Sequence, residues 1–105
     1  MSIYSTLLYS ASAPNGSTPA YTVPAGTTVV VRDIEAFNSQ GAATALSVTR
    51  NVSGLVTSFI YVVEALGAQT WSQWKGRAVL NPADVLEVNT GAVGVYLHIS
   101  GYVLS

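Results

Sequence analysis

At 105 residues the chain has room for one hydrophobic core, so a single domain spanning 1–105 is expected. Charged residues make up only 9%, and the four basic ones, Arg32, Arg50, Lys75 and Arg77, form no cluster longer than a pair, which excludes the several phosphate contacts of a nucleic-acid footprint. With no cysteine there can be no disulfide or thiolate metal site, and no apolar run approaches the roughly 20 residues of a membrane-spanning helix.

A 50% hydrophobic fraction excludes disorder. Ser, Thr, Asn, Gln and Gly must therefore cover the surface, and a surface so poor in charge does little to oppose association. That points to a chain working within an assembly. The opening Met1-Ser2-Ile3-Tyr4-Ser5 lacks the basic stretch of a signal peptide, so synthesis and use in a cytosol are expected.

In chain order, 3–11 alternates loosely, with Ile3, Leu7 and Tyr9 on one side and Tyr4 and Leu8 on the other. A strand apolar on both faces is not an ordinary solvent-facing edge. It reads either as a strand pinned between two sheets or as an N-terminal arm, 1–11, that adds to a neighbouring subunit's sheet. Residues 12–19, rich in Pro, Gly, Ser and Asn, read as a loop. Tyr21-Thr22-Val23 is a short strand closed by a Pro24-Ala25-Gly26 turn.

The next strand, 27–37, is stiffened by the β-branched run Thr27 to Val31. Its alternation groups Val30, Ile34 and Ala36 but places Arg32 in the same inward series. A bulge near Arg32-Asp33 would resolve this; the alternative is a strand end where Arg32 reaches solvent. After a turn at 38–41, residues 43–50 put Leu46 and Val48 inward and Ser47 and Thr49 outward, with a further turn at 51–54. Residues 55–66 are apolar on both parities at their centre, and Thr57, Ile60, Tyr61, Val62 and Val63 favour strand over helix.

The last third reads strand, turn, strand, turn, strand. Trp71 opens the first strand, Asn81-Pro82-Ala83-Asp84 is a turn with Pro where a fixed φ is wanted, and Thr90-Gly91-Ala92 turns the chain into 93–104. About seven to nine short strands without βαβ spacing predict an all-β fold, an antiparallel β-sandwich of jelly-roll-like kind or a small barrel.

Catalytic constellations are thin. His98, the single histidine, alternates outward between Leu97 and Ile99, and no nucleophile elbow surrounds any serine. The carboxylates Asp33, Glu35, Glu64, Asp84 and Glu87 are scattered, although Asp33 and Glu35 share one strand face. Neither an enzyme nor a cofactor or metal site is expected. Trp71 and Trp74, three apart, fall on opposite faces, so one can enter the core and the other cannot. Trp74 could lie over the sandwich end with Lys75 or Arg77 stacked on it, or one of the pair could anchor an interface; a sugar-stacking platform is the third reading.

Taken in order, the run from Tyr21 to Ile34, then Asn38, the segment Trp74-Lys75-Gly76-Arg77-Ala78-Val79-Leu80-Asn81-Pro82 and the terminus Ser100-Gly101-Tyr102-Val103-Leu104 resemble small virion proteins of tailed bacteriophages, of the actinobacteriophage type. The resemblance covers about 21–104. One departure is Ala83, where the pattern has Gly before Asp84; if that position takes positive φ, the turn must differ here. The resemblance implies a virion structural protein assembled in the bacterial host cytoplasm, of capsid decoration type. Such a protein would bind the head lattice of major capsid protein as a homo-oligomer, with a trimer favoured. A head–tail junction (connector) or minor tail component is the alternative, and a carbohydrate- or receptor-binding module the reading from another class. Interface candidates are Ile3, Tyr4, Leu7 and Leu8 in the arm, with Tyr61, Trp71 and Trp74 as aromatic anchors. No nucleic-acid or membrane partner is expected.

Overall fold

β-Branched and aromatic residues are spread too densely along the chain for a helix to compete. The structure, a computed structural model, describes residues 3–13, 16–53, 55–91 and 93–104, with 3–6 and 13 as backbone alone. Its elements are β1 (Ile3–Ala13), β2 (Gly16–Thr22), β3 (Thr28–Asn38), β4 (Thr44–Val52), β5 (Leu55–Leu66), β6 (Trp71–Leu80), β7 (Val85–Thr90) and β8 (Val95–Leu104).

β1 pairs with β8, β2 with β7, β3 with β6 and β4 with β5, all antiparallel, as if the chain were one long hairpin with its tip between β4 and β5. Rolling that hairpin adds the pairs β3–β8 and β4–β7 and yields two four-stranded sheets, β1-β8-β3-β6 and β2-β7-β4-β5. This is a jelly-roll sandwich. Between the sheets lie Val29, Val31, Ile34 and Ala36 of β3, Leu46 and Val48 of β4, Leu86 and Val88 of β7, and Val95, Leu97, Ile99 and Val103 of β8. Each fully buried aliphatic side chain contributes ~1.5–3 kcal/mol over exposure, most of it offset by ordering entropy.

The parity conflict at Arg32 resolves as a bulge. β3 slips by one residue between Val31 and Asp33 against both of its neighbours, so Arg32 is exposed while Asp33 rejoins the outer face. The bulge presses β3 onto β8 where Gly101 pairs with Val31, and a Cβ at Gly101 would overlap the Val30 carbonyl oxygen. Glycine is required there by close backbone approach.

Three expectations change. In β1, Leu7 pairs with Ser100 and Tyr9 with Ile99, leaving Leu8 as an extra residue. Leu7 and Tyr9 therefore face opposite ways, Leu7 exposed and Tyr9 packed on the core. The segment lies along β8 of its own chain, from Ile3 opposite Leu104 to Ala13 opposite Val95. Second, within the expected loop 12–19, residues 16–19 belong to β2. That strand is an edge of its sheet, where Pro19 need not break a ladder. Pro14 and Asn15 lie outside the described residues. Third, β4 runs through the expected turn to Val52. Thr49, on the outer face as expected, is nevertheless buried; its hydroxyl donates to Asn51 Oδ1 at 2.8 Å, and Asn51 Nδ2 donates to Glu87 Oε2 at 3.1 Å.

Residues 81–84 form the expected turn, and the expectation that alanine at a positive-φ position would force a different turn is overturned. Asp84 N–H donates to the Asn81 carbonyl at 3.0 Å, and Ala83 sits at φ +71°, the positive value a type II turn places after Pro at its second position. Alanine bears the strain that glycine would avoid. Around it, Ala83 N–H donates to Val23 O and Val23 N–H to Asp84 O, both at 2.9 Å. The buried Asp84 carboxylate accepts from Asn81 N–H at 2.8 Å and from Arg50 Nε at 2.7 Å. These bonds tie the turn before β7 to the end of β2 and to β4.

Candidate interaction surfaces

Strand parity decides which side chains leave the core, and two surfaces result. The first is the outer face of the β1-β8-β3-β6 sheet. Reading from β6 across β3 to β8, its rungs are Trp71–Phe37–Tyr96, Gln73–Glu35–His98, Lys75–Asp33–Ser100 and Val79–Val30–Tyr102. Trp71 is 71% exposed, and its ring centroid lies 4.7 Å from that of Phe37 in a tilted arrangement. Tyr96 and Tyr102 are also exposed.

Hydrogen-bonding groups occupy the middle rungs. Gln73 Nε2 donates to Glu35 Oε1 at 3.0 Å and approaches Asp33 Oδ1 at 3.4 Å. Arg32, thrown outward by its bulge, stands 6.0 Å over the Tyr102 ring, within cation–π range. Two shallow grooves run over this face. One of about 280 Å³ is bounded by Ser10, Glu35, Trp71, Tyr96 and His98, and one of about 550 Å³ by Leu7, Arg32, Asp33, His98, Ser100 and Tyr102. Among the described residues no three His, Asp or Glu side chains gather as a metal site.

The second surface is β5. It ends its sheet and pairs with β4 alone. The pairing shifts register three times, passing over Thr57, Ile60 and Glu64–Ala65, and bulges of this kind twist an edge. Residues 55–59 are exposed on both parities. Leu55, Val56, Phe59 and Val62 are each more than half exposed, and Glu64 is the sole charge in the strand. Phe59 and Val62 border a groove of about 440 Å³ together with Ser47, Glu64 and Asn89. Opposite them, Tyr61 turns inward and its hydroxyl meets that of Ser72 on β6, closing one side of the sandwich between an edge strand of each sheet. Burial raises the pKa of this phenol above its ordinary value.

The expected site residues separate. Trp71 is the exposed indole. Trp74 faces Ile34, packs on the core and lies over Gly76, where a Cβ would come within 2.7 Å of its ring. Neither Lys75 nor Arg77 is stacked on it; the cation–π pair among the described residues is Arg32 with Tyr102. Leu8 belongs to the core, Leu7 lines the groove beside Tyr102, and Tyr61 sits at the β5–β6 seam. The side chains of Ile3 and Tyr4 lie outside the described residues. Sequence reading missed Leu55, Val56, Phe59 and Val62, although the two-sided apolar run at 55–66 was their signal.

No protein-family model matches the chain, and no curated protein matches it. Among solved structures it is similar to a chain of infectious bursal disease virus, Gx strain, with a TM-score of 0.47 and 12% identity over 97% of this chain and 31% of that one. It is also similar to two crystal structures of a pentameric capsid protein isolated from metagenomic phage sequences. Their TM-scores are 0.44 and 0.42 and their identities 16% and 17%, over 90% and 88% of this chain and 58% and 59% of theirs. The chain thus spans less than two thirds of the length of each.

Proposed function

We propose that this chain is a non-enzymatic structural protein of a tailed-bacteriophage particle, a capsid decoration protein that binds the head lattice as a homo-oligomer. The observation that carries the reading is β5, where Leu55, Val56, Phe59 and Val62 stand exposed along an edge with one charge among its 12 residues. An exposed, long apolar edge is a surface that another polypeptide covers.

Jelly rolls serve as capsid, lectin and cupin domains, so the architecture permits this role without selecting it. The motif resemblance over 21–104 supports a virion structural role without choosing among head, neck and tail positions, and those motifs have mechanical duties at the Val23–Asp84 junction and under Gly101. Binding proceeds without turnover. Burying each large apolar side chain of β5 contributes about 1.5–3 kcal/mol, against an association cost of about 4–15 kcal/mol. One such contact is weak, and repetition on a symmetric lattice multiplies it. A trimer on three-fold positions is the assembly to test first, and a ring at the head–tail junction or in the tail is the alternative.

The test is native mass spectrometry of the full chain, wild type and Phe59→Ser, with proteomics of purified particles of the phage that encodes it. The reading expects a discrete wild-type oligomer, a monomeric but equally folded Phe59→Ser, and the chain in fixed ratio to the major capsid protein. A wild-type monomer at high concentration, or particles lacking the chain, would overturn it.

A further inference from the structure

We propose that the outer face of the β1-β8-β3-β6 sheet is a trough for an uncharged oligosaccharide, with Trp71 and Tyr96 as stacking platforms. This goes beyond the assembly role and uses a different surface. A pyranose presents an apolar C–H face and a rim of hydroxyls, each both donor and acceptor, so its receptor needs exposed aromatic faces interleaved with hydrogen-bonding groups of both kinds.

This face supplies both. Trp71, 71% exposed, is held by the Phe37 ring at 4.7 Å, and Tyr96 completes the same rung. Six residues further along β8, about 20 Å at strand rise, Tyr102 offers a second platform beneath Arg32. Between the platforms lie the acceptors Glu35 and Asp33, the donor Lys75, and Ser10, Ser100 and His98. The Gln73 amide fixes the Glu35 carboxylate.

The two grooves lie on the same face and both border His98. Their volumes, about 280 and 550 Å³, fall near the range of small-molecule sites, roughly 300–1,000 Å³. Charge decides the ligand class. The charged groups of this face are mixed in sign, Arg32, Lys75 and Arg77 against Asp33 and Glu35, so no field of a single sign runs along it to recruit an ion. Ionic groups in its middle rungs also suit a protein partner poorly, because interface cores are depleted of charge. β5, with its single carboxylate, is the contrasting surface.

The experiment titrates the full chain with cellotetraose, maltotetraose, mannotetraose and chitotetraose, and with a hyaluronan tetrasaccharide as charged control. Readouts are tryptophan fluorescence and backbone amide NMR. The expected result is that a neutral probe binds, perturbs β3, β6 and β8, and outcompetes the charged control. Trp71→Ala and Tyr96→Ala should each weaken it about tenfold or more without changing the melting temperature. Phe59→Ser should bind as wild type, which separates this site from the assembly surface. Failure of every neutral probe, binding undiminished in both aromatic variants, or a Trp71 shielded from quencher only when the protein oligomerises would each overturn the assignment, the last by showing a protein occupant.

Discussion

Replacing Ala83 by glycine should stabilise the protein. Ala83 sits at φ +71° in the turn before β7, and the residue is exposed, so little burial is at stake in losing its methyl. A non-glycine residue in the left-handed region carries about 1–2 kcal/mol of strain. Glycine removes it but adds unfolded-chain entropy worth about 0.4–1 kcal/mol. The net gain is about 0.5–1 kcal/mol. With an unfolding entropy of about 2.1 cal/mol/K per residue, that raises the melting temperature of this chain by roughly 2–5 °C. The assay is thermal unfolding by circular dichroism, with urea titrations to check that the m-value is unchanged. Gln69, at φ +56°, is the internal contrast: its amide donates to Ser39 O at 2.6 Å, so Gln69→Gly should gain less or lose. An Ala83→Gly protein no more stable than wild type would refute the reasoning.

Three further predictions follow the same logic. Gly101→Ala should cost about 3 kcal/mol, because its methyl meets backbone at Val30 that no rotamer change can relieve, whereas Gly41→Ala, with open space around it, should be neutral; denaturant midpoints of the pair check this. Asp84→Ala should cost about 2–3 kcal/mol, since it strands the Asn81 N–H and the partly buried Arg50 guanidinium, and the loss should shrink in Arg50→Met/Asp84→Ala, measured as a double-mutant cycle. Tyr61 has its phenol pKa raised by burial, so the folded chain keeps a proton that the unfolded chain releases above about pH 10. Stability conferred by that proton is present below this pH and lost as pH rises, and Tyr61→Phe should flatten the alkaline limb of a stability–pH profile.

Much of the fold was legible. The break in alternation at Arg32 pointed to a bulge, since an unpaired arginine is costly on the inward parity of a core strand, and the spacing of Trp71 and Trp74 announced one buried and one exposed indole. What alternation could not reveal was burial of a two-sided apolar strand. β1 and β5 look alike in sequence and both end their sheets, yet Leu8 sinks into the core while Leu55 and Phe59 stand in solvent, a difference that the local apolar pattern does not carry. The 16–19 segment was hidden for a related reason: Gly16 and Pro19 signal a turn in isolation but are tolerated on an edge strand. The aromatic and polar rungs of the outer face required the cross-strand register, which brings Trp71, Phe37 and Tyr96 together from three strands.

The most direct test of the account is hydrogen exchange of β5 across a range of protein concentrations, alongside the molecular mass in the same samples. If β5 is the surface that a second copy covers, protection of amides in 55–62 should rise in step with oligomer mass, while the outer face of the other sheet stays unchanged. Constant exchange along β5 in a chain that stays monomeric at every concentration would contradict it.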